Sequence, residues 1–447
     1  MSNPAIAEWQ GTASGLLKST PPFTLAMTIR RLFASLVALA VSAAAVIATG
    51  AADTPGGTIF DRRVVAQGRQ LAFLGNCNTC HTAGDGVTFA GGRAIPTLFG
   101  TIYSTNITPD PDTGIGKWSV ADFRRAMHEG VAPDGRHLYP VFPYDHFTHV
   151  ADDDVDAIYV YLMTREPVRA TAPANQLRMP FGARPLLGIW KVLYLHRGPI
   201  APDQARSAQW NRGRYLVDGL AHCGACHTPR NGMGAEQSGR DLSGGEAEGW
   251  HAPAIDESSR APLAWTADAL TRYLRSGYDE HHGASRGPMA PVAANLAEVD
   301  EADVRAIAEY IASRAGRSSV GTSVAVSRAQ IDAAPSDSDG HDDAALLYEG
   351  ACASCHDRTQ RGVHLEFSTA VTDVVPTNII RVITDGLAPV EGEPSRSMPG
   401  FRGAFTAAQT AALVRYIRAR YSRAEPWRDV ESEVDRIRAE RPQRSAS

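Results

Sequence analysis

Outside three short motifs, the 447-residue chain contains no cysteine. All six cysteines lie in Cys-x-x-Cys-His sequences, which leaves none for a separate disulfide framework or a lone catalytic thiol. The chain also has no excess of basic charge, because 44 Lys and Arg residues are outnumbered by 49 Asp and Glu residues. This composition, without a basic stripe, argues against a nucleic-acid partner. The sequence further lacks a Ser/His/Asp arrangement, a Gly-rich dinucleotide loop and a paired acidic motif, so nothing in it indicates a substrate site of its own.

The first 52 residues have the pattern of an export segment. A short basic stretch at 27–31 precedes an apolar run from Leu32 to Ala52, and small residues end that run where a signal peptidase would cut. Because a signal begins close to its basic stretch, we expect translation to start at Met27. The run is also long enough to stay as a membrane anchor, and cleavage and anchoring are both left open. We therefore expect a periplasmic protein attached to the outer face of the inner membrane.

The three motifs mark a threefold repeat. Their residues are Cys77, Cys80 and His81, then Cys223, Cys226 and His227, then Cys352, Cys355 and His356. An apolar, helix-like stretch precedes each motif, and a helical stretch of one pattern closes each repeat, at 157–162, 306–311 and 412–417. Apolar residues at three- and four-residue spacing would bury one face of each closing helix. Asp154 and Asp303 are expected in the first turns of two of these helices, where an acid suits the helix dipole.

Composition sets the boundaries between the repeats. Residues 166–208 are rich in proline around an apolar patch, and residues 316–340 are dominated by Ser, Asp, Ala and Gly, as in flexible linkers. Because no strand pattern is long enough to build a sheet, we expect an all-α chain of three tandem domains joined by loops and linkers. The predicted parts are the export segment or anchor 1–52, domain 1 at 62–165, the connector 166–208, domain 2 at 209–315, the linker 316–340, domain 3 at 341–425, and a polar tail at 426–447 that ends as a loose helix or in disorder.

The Cys-x-x-Cys-His spacing suits the covalent attachment of haem. Two cysteines three positions apart on a helical turn can each add to one vinyl group, and the following His then lies beneath the iron as its proximal ligand. The alternatives are a thioredoxin-like redox pair and half of a zinc site. Zinc needs four ligands per ion, whereas the first cysteines of successive motifs are 146 and 129 residues apart, and a redox pair gives no reason for a following His in every repeat. We therefore predict three covalently bound haem c groups.

In two repeats a methionine is placed to supply the sixth ligand of the iron. Met289 lies in the sequence Gly-Pro-Met-Ala-Pro, 62 residues beyond His227, and Met398 lies in Ser-Met-Pro-Gly-Phe, 42 residues beyond His356. An adjacent proline stiffens the loop that would hold the thioether against the iron. The alternative is that each Met only fills a gap in the core. A His/Met pair raises the reduction potential and suits electron transfer.

The first repeat lacks a methionine at the matching place. His146 lies 65 residues beyond His81, close to the spacing of the second repeat, and we predict it as the sixth ligand. His149, another residue such as Met127 or His128, and an open iron are the alternatives. A haem with two His ligands would have a lower potential than its neighbours, and the first domain would then receive the electrons.

Two stretches around the motifs are distinctive. One reads Phe-Gly-Thr-Ile-Tyr-Ser-Thr-Asn-Ile-Thr-Pro-Asp at 99–110, and the other reads Trp-Asn-Arg-Gly at 210–213 and leads into His-Cys-Gly-Ala-Cys-His-Thr-Pro-Arg-Asn at 222–231. With the motifs, they resemble the three-haem cytochrome c subunits of bacterial membrane-associated dehydrogenases, over residues 62–425. Those subunits serve quinoprotein alcohol dehydrogenases, flavin dehydrogenases of gluconate and sorbitol, and molybdenum hydroxylases that act on aldehydes or N-heteroaromatics.

The resemblance carries its own expectations. It implies class I-like cytochrome c domains that pass electrons from a dehydrogenase large subunit, with or without a small iron-sulfur subunit, to quinone or a terminal oxidase. The alcohol dehydrogenase subunits have Met-Pro-Tyr, with that Met as sixth ligand, where this chain has Phe142-Pro143-Tyr144. The form found here is more similar to subunits paired with molybdenum hydroxylases such as nicotinate or isoquinoline dehydrogenases.

Two other functions compete with that of an electron-transfer subunit. The chain could itself be a multihaem enzyme, a peroxidase or reductase that uses an open iron in domain 1. It could also be a free electron shuttle with no fixed dehydrogenase partner. The sixth ligand of the first haem discriminates the enzyme from the other two, because an iron with six protein ligands leaves no place for peroxide. The remaining histidines, among them His196, His251, His281 and His282, are expected to be solvated or structural.

Overall fold

The computed structural model describes residues 60–315, 341–358, 362–387 and 397–440. The predicted export segment and the predicted linker lie outside these residues. Within the described ranges, no helix combines the length and the apolar character that crossing a membrane requires.

Two helices of the first repeat begin at polar caps. Its helices are α1 (Arg62–Leu74), α2 (Cys77–Cys80), α3 (Val120–Glu129), α4 (Tyr144–Phe147) and α5 (Asp152–Met163). The side chain of Asp61 caps α1, and Ser119 and Asp122 form a capping box at the start of α3. Asp154 lies in the first turn of α5, as predicted.

The connector and the second repeat continue the same order of elements. Their helices are α6 (Pro185–Tyr194), α7 (Ala208–Tyr215), a π-helical turn (Leu216–Leu220), α8 (Gly224–His227), α9 (Ala267–Ser276), α10 (Met289–Ala297) and α11 (Glu301–Arg314). Asp303 lies in the first turn of α11, as predicted, and accepts a hydrogen bond of 2.8 Å from Arg212 of α7.

The third repeat has a different set of elements. Its elements are α12 (His341–Ala351), a π-helical turn (Ser354–Arg358), a 3-10 turn (Leu365–Phe367), α13 (Thr369–Thr372), α14 (Thr377–Asp385), α15 (Ala407–Tyr421) and α16 (Val430–Ala439). In every repeat the helix before the motif packs on the closing helix: α1 on α5, α7 on α11 and α12 on α15. The three predicted closing helices are therefore confirmed.

Short strands interrupt the helical chain, and the expectation of no sheet was wrong. The strands are β1 (Ala94–Thr97), β2 (Gly100–Tyr103), β3 (Gln176–Leu177), β4 (Gly245–Ala247), β5 (Trp250–Ala252), β6 (Tyr278–Asp279) and β7 (Gly283–Ala284). They form an antiparallel sheet of order β1-β2-β3, in which Ala94 pairs with Tyr103, and two hairpins, β4-β5 and β6-β7. Segments of two to four residues are too short to show an alternating pattern in the sequence.

The first two repeats share one apolar core. Leu71 and Ile158 of the first repeat belong to the same buried cluster as Leu216 and Ile307 of the second. The third repeat has its own cluster, built on α12, α14, α15 and α16. Burial of these apolar faces is the main source of the stability of such helices.

The end of the chain departs from its predicted form. Helix α16 lies within the predicted polar tail, yet Val430, Val434 and Ile437 are fully buried in the core of the third repeat. Glu440, just beyond α16, pairs with the buried Arg381 of α14 at 2.7 Å. The prediction of a loose helix or disorder was therefore wrong for residues 430–440, because apolar residues on one face dock α16 while Glu431, Asp435 and Arg436 face solvent.

Candidate haem attachment sites

The three motifs share one backbone geometry. In each, the backbone N–H of the His donates to the carbonyl oxygen of the first Cys, which closes one helical turn. The N–O distances are 3.0 Å for His81 and Cys77, 3.0 Å for His227 and Cys223, and 3.1 Å for His356 and Cys352. Residues three and four positions apart lie on one side of such a turn, so the two thiols and the imidazole face the same side.

Each motif histidine also has one ring nitrogen fixed by a backbone carbonyl. The distances from Nδ1 to the carbonyl oxygen are 2.6 Å for His81 and Thr105, 2.8 Å for His227 and Pro253, and 2.9 Å for His356 and Val363. Because a carbonyl can only accept, Nδ1 carries the proton, and the lone pair is left on Nε2. This is the tautomer and the outer hydrogen bond that a metal-ligating histidine needs.

In the first two repeats a glycine brings the following loop close to the histidine. Gly91 donates its N–H to the carbonyl of His81 at 2.7 Å, and Gly244 donates to the carbonyl of His227 at 2.8 Å. Both glycines have positive φ, +75° and +95°, a conformation that other residues rarely adopt. The loop then leads into the β1-β2 or β4-β5 hairpin, and the carbonyl that binds Nδ1 follows the last strand of the hairpin.

The electrostatics of the motifs do not fit a thiol redox site. All six cysteines are free. Burial raises the pKa of Cys77 and of Cys223 to about 12, whereas a reactive Cys-x-x-Cys pair has a lowered pKa. Burial lowers the pKa of His81 and of His227, which keeps both imidazoles neutral and able to bind a metal.

One large cavity joins the second and third motifs. Its volume is about 670 Å³, and its walls are mainly apolar. The motif residues and the two predicted methionines that line it are Cys223, Cys226, His227 and Met289 on one side, and Cys352, Cys355, His356 and Met398 on the other. Two macrocycles attached at these motifs would thus occupy one continuous space.

The first motif borders the same cavity. Cys80 and Thr79 line it together with Arg93 and Glu248. Arg93 donates to the Thr79 carbonyl at 3.2 Å and to the Glu248 carboxylate at 2.8 Å, and so links the first motif to the second repeat. All three attachment segments therefore converge on one region of the molecule.

The residues that line the cavity suit a haem. Its apolar walls fit a porphyrin ring, and Arg286 adds one cationic group. The Nε of Arg286 is buried without a hydrogen-bond partner, and burial lowers the pKa of this guanidinium. A carboxylate such as a haem propionate would both accept from Nε and balance the charge. Sequence reasoning missed Arg286, although its place directly before Gly-Pro-Met was a signal that could have found it.

The two predicted methionine ligands reach the cavity by different routes. Met289 is the first residue of α10 and follows Pro288. Met398 is held by Leu387, which exchanges two backbone hydrogen bonds with it, at 2.8 and 3.0 Å. Each methionine lines the cavity that its motif histidine also lines. Their ligation of iron stays a prediction.

His146 lies between the first two repeats, where protein acceptors bind both of its ring nitrogens. Nδ1 donates to the Asp218 carbonyl at 2.8 Å, and Nε2 donates to the Glu236 carboxylate at 2.8 Å. Burial alone lowers the pKa of His146, but the hydrogen bond and charge of Glu236 outweigh it and raise the pKa to about 9. An iron ligand could not keep this arrangement, so ligation by His146, which stays a prediction, requires one of the two bonds to break.

The alternatives to His146 have different surroundings. Nδ1 of His149 donates to the Gly198 carbonyl at 2.5 Å. Met127 is buried in the core that the first two repeats share. The Nε2 of His128 is buried without a hydrogen-bond partner, and its Nδ1 lies 3.7 Å from Asp152.

Two of the remaining histidines, His251 and His282, line the cavity and are hydrogen-bonded to carboxylates. His251 donates to Asp373 at 2.8 Å and so links the second and third repeats. His282 donates to Asp279 at 2.7 Å and stacks on Trp265.

Comparison with known families identifies two parts of the chain. The family model described as "Cytochrome c" matches residues 211–315. The model described as "Cytochrome C oxidase, cbb3-type, subunit III" matches residues 340–417. Each match contains one complete motif and its closing helix, or most of that helix.

Similar proteins extend the likeness over most of the chain. A nicotinate dehydrogenase subunit of Pseudomonas putida is 44% identical over 393 residues, which are 86% of this chain and 33% of that protein. This chain thus spans about a third of the length of that relative. The fructose dehydrogenase cytochrome subunit of Gluconobacter japonicus is 37% identical, over 76% of this chain and 74% of that protein. The gluconate 2-dehydrogenase cytochrome c subunit of Pantoea cypripedii is 36% identical, over 79% of this chain and 85% of that protein.

Proposed function

Because this chain belongs to the family of cytochrome c subunits of dehydrogenases, we propose that it carries three haem c groups and conducts electrons from a dehydrogenase large subunit to quinone or a terminal oxidase. Family membership already makes it an electron-transfer protein with covalently bound haem c. The number of haems, the donor and the acceptor are what we propose in addition.

The proposal rests on one observation: the three motif histidines make the same hydrogen bond through Nδ1. In each, a backbone carbonyl holds Nδ1 within 2.9 Å and leaves Nε2 for a metal. Without haem, nothing in a motif would require the histidine to keep its proton on Nδ1 and its lone pair on Nε2. We therefore assign one haem c to each repeat and propose three tandem cytochrome c domains, at 62–165, 209–315 and 341–425, the last of which α16 and Glu440 extend to residue 440.

The residues of the chain have distinct roles in this proposal. The two cysteines of each motif would form the thioether links, and His81, His227 and His356 would each bind an iron. Bound haem c supplies a one-electron iron couple. Met289 and Met398 would close the second and third irons to other ligands and favour high potentials. Convergence of the motifs on one cavity supports transfer between neighbouring haems.

The first repeat is the proposed site where electrons arrive. His146 as sixth ligand would give the first haem the lowest potential of the three, because imidazole stabilises reduced iron less than a thioether does. Electrons would then run from the first haem through the second to the third.

The nature of the partner is proposed from the relatives. The relative with 44% identity is named a nicotinate dehydrogenase subunit, which favours a molybdenum hydroxylase partner with a small iron-sulfur subunit over a quinoprotein or flavin dehydrogenase. Location in the periplasm, at the outer face of the inner membrane, agrees with the predicted export segment 1–52.

The test is a redox titration of the purified holoprotein under anaerobic conditions. We expect it to accept three electrons per chain, to be reoxidised by a ubiquinone analogue, and to bind no carbon monoxide. A chain that accepts fewer electrons contradicts the number of haems. Binding of carbon monoxide together with turnover of peroxide would favour the multihaem enzyme.

A further inference from the structure

Helix α6 in the connector is apolar on both of its faces. Leu187 and Trp190 point into the protein, where Trp190 packs on Tyr144 with the ring centroids 6.0 Å apart. On the opposite side, Leu186, Ile189, Val192 and Leu193 are exposed, Val192 by 86%. A helix that is apolar all round is normally covered on every side. The outer face of α6 therefore requires a partner.

Other exposed apolar side chains extend this face. They are Leu98, Met179, Phe181 and Met233. Phe181 packs on Phe99, the neighbour of Leu98, with the ring centroids 4.3 Å apart, and Trp190 of α6 donates to the Met233 carbonyl at 3.0 Å. We call the eight exposed side chains the connector patch. Of the eleven large apolar side chains that are exposed in the described part of the chain, eight belong to it.

The chain segment that contains α6 carries charge of one sign. Residues 167–202 contain four arginines and one lysine and not a single Asp or Glu, in a chain whose net charge is −5. Arg178 and Arg197 are exposed before and after α6, and Arg197 lies 3.6 Å from Glu129 at the surface. Lys191 of α6 is buried instead and donates to the Gly130 carbonyl at 2.6 Å, which fixes the rotation of the helix.

We infer that the connector patch rests on the surface of a membrane that contains anionic lipids. A helix with Leu, Ile and Val on one face and basic residues beside it enters the boundary between headgroups and acyl chains, and anionic headgroups attract the arginines. The alternative is that a protein partner covers the connector patch. Energetically dominant residues of protein interfaces are enriched in Trp and Tyr, whereas Leu and Val are under-represented among them. The only Trp of α6 faces inward, and the exposed residues of α6 itself are Leu, Ile and Val, which favours lipid at this helix.

This inference rests on the proposed membrane location and adds the surface that makes the contact. The docked α6 would hold the α4 region of the first repeat at the membrane, because Trp190 and Lys191 both contact Tyr144. The contact does not depend on the export segment being retained.

The test uses the full-length holoprotein with Leu193→Cys, labelled with an environment-sensitive fluorophore. The native cysteines are held as thioethers, so the label attaches at the new position. The matched control is Leu346→Cys on α12, which is exposed by 71% and lies outside the connector patch. A label reports insertion at its own position, so an anchor at the amino terminus does not mimic the result. The probe is vesicles of phosphatidylglycerol and phosphatidylethanolamine, with and without nitroxide-labelled lipids.

We expect the label at 193 to shift its emission to the blue and to be quenched by the nitroxide lipids, while the label at 346 does neither. Adding Ile189→Asp and Val192→Asp, both at exposed positions, should abolish the response at 193. Arg178→Gln and Arg197→Gln should each weaken binding about fivefold and have no effect on vesicles of phosphatidylcholine alone.

Two results would overturn the inference. The first is an equal response, or none, at 193 and 346. The second is a response at 193 to the large chain of the dehydrogenase in the absence of any response to vesicles, which would make the connector patch a protein–protein interface. The electron count of the same samples is measured in parallel, so loss of lipid contact and failure of the proposed electron transfer are separate outcomes.

Discussion

Gly68 of α1 lies directly against Ala157 of α5: a Cβ built on Gly68 would be 1.8 Å from the Ala157 carbonyl oxygen. The second repeat has the same relation between Gly213 of α7 and Ala306 of α11, at 2.0 Å. The helix before the motif thus meets the closing helix at a glycine, because any side chain there would push the two backbones apart. This contact fixes how each of these two repeats closes behind its haem site.

The glycine contact predicts the effect of adding one methyl group. Gly68→Ala should lower the free energy of unfolding of the holoprotein by about 1–3 kcal/mol, the usual cost of overpacking. Gly350→Ala is the matched control, because nothing lies within 4 Å of its new Cβ and alanine favours a helix. Urea unfolding, followed by circular dichroism, measures both. Equal stability of the two variants would mean that α1 and α5 do not meet as described.

Arg286 is predicted to tune the potential of the second haem. Arg286→Leu removes a buried positive charge that favours the reduced iron, so one of the three potentials should fall. A unit charge about 10 Å away at an effective dielectric constant of about 20 contributes about 1.7 kcal/mol. The measurement is a spectroelectrochemical titration. Arg305→Leu is the control, because Arg305 pairs with Asp268 on the surface. An equal shift in both variants, or in neither, would remove Arg286 from the haem site.

Met289 and Met398 are predicted to act independently. Met289→Ala should remove part of the near-infrared band of Met-ligated iron and lower one potential, and Met398→Ala should do the same for another haem. Met233→Ala, at an exposed position, should change neither. If the spectra and potentials of both cavity variants equal those of the unmutated protein, the methionines only fill space.

His146 gives the riskiest prediction, because its two ring nitrogens are bound by Asp218 and Glu236. If Nε2 leaves Glu236 for the first iron, His146→Ala should turn one haem high-spin and open it to carbon monoxide or cyanide. The other two haems should stay unchanged. Should His146→Ala stay low-spin while His149→Ala, Met127→Ala or His128→Ala does not, the ligand is elsewhere, and His146 serves to join the first two repeats.

The sequence was most informative where residue type and spacing coincide. Apolar periodicity located the closing helices at α5, α11 and α15, and the acids at Asp154 and Asp303 marked two of their starts. Residue type and spacing could not identify the carbonyls of Thr105, Pro253 and Val363 as partners of Nδ1. Every residue has a carbonyl, and only the fold decides which one reaches Nδ1.

The packing of α16 against the third repeat was not predicted, for a different reason. Val430, Val434 and Ile437 follow the spacing of a buried helix face, but they stand among so many charged residues that composition alone suggested a loose tail. The His146–Glu236 pair was also beyond reach, since its members are 90 residues apart and belong to different repeats.

The central claim is that each repeat carries one covalent haem. Mass spectrometry of the denatured, unmutated holoprotein tests it most directly, because thioether links survive unfolding whereas ligand bonds do not. We predict a single species with the mass of the polypeptide plus three haems, and plus two when both Cys352 and Cys355 are replaced by serine. A mass that corresponds to two haems in the unmutated protein, or to none after acid extraction, would contradict the account.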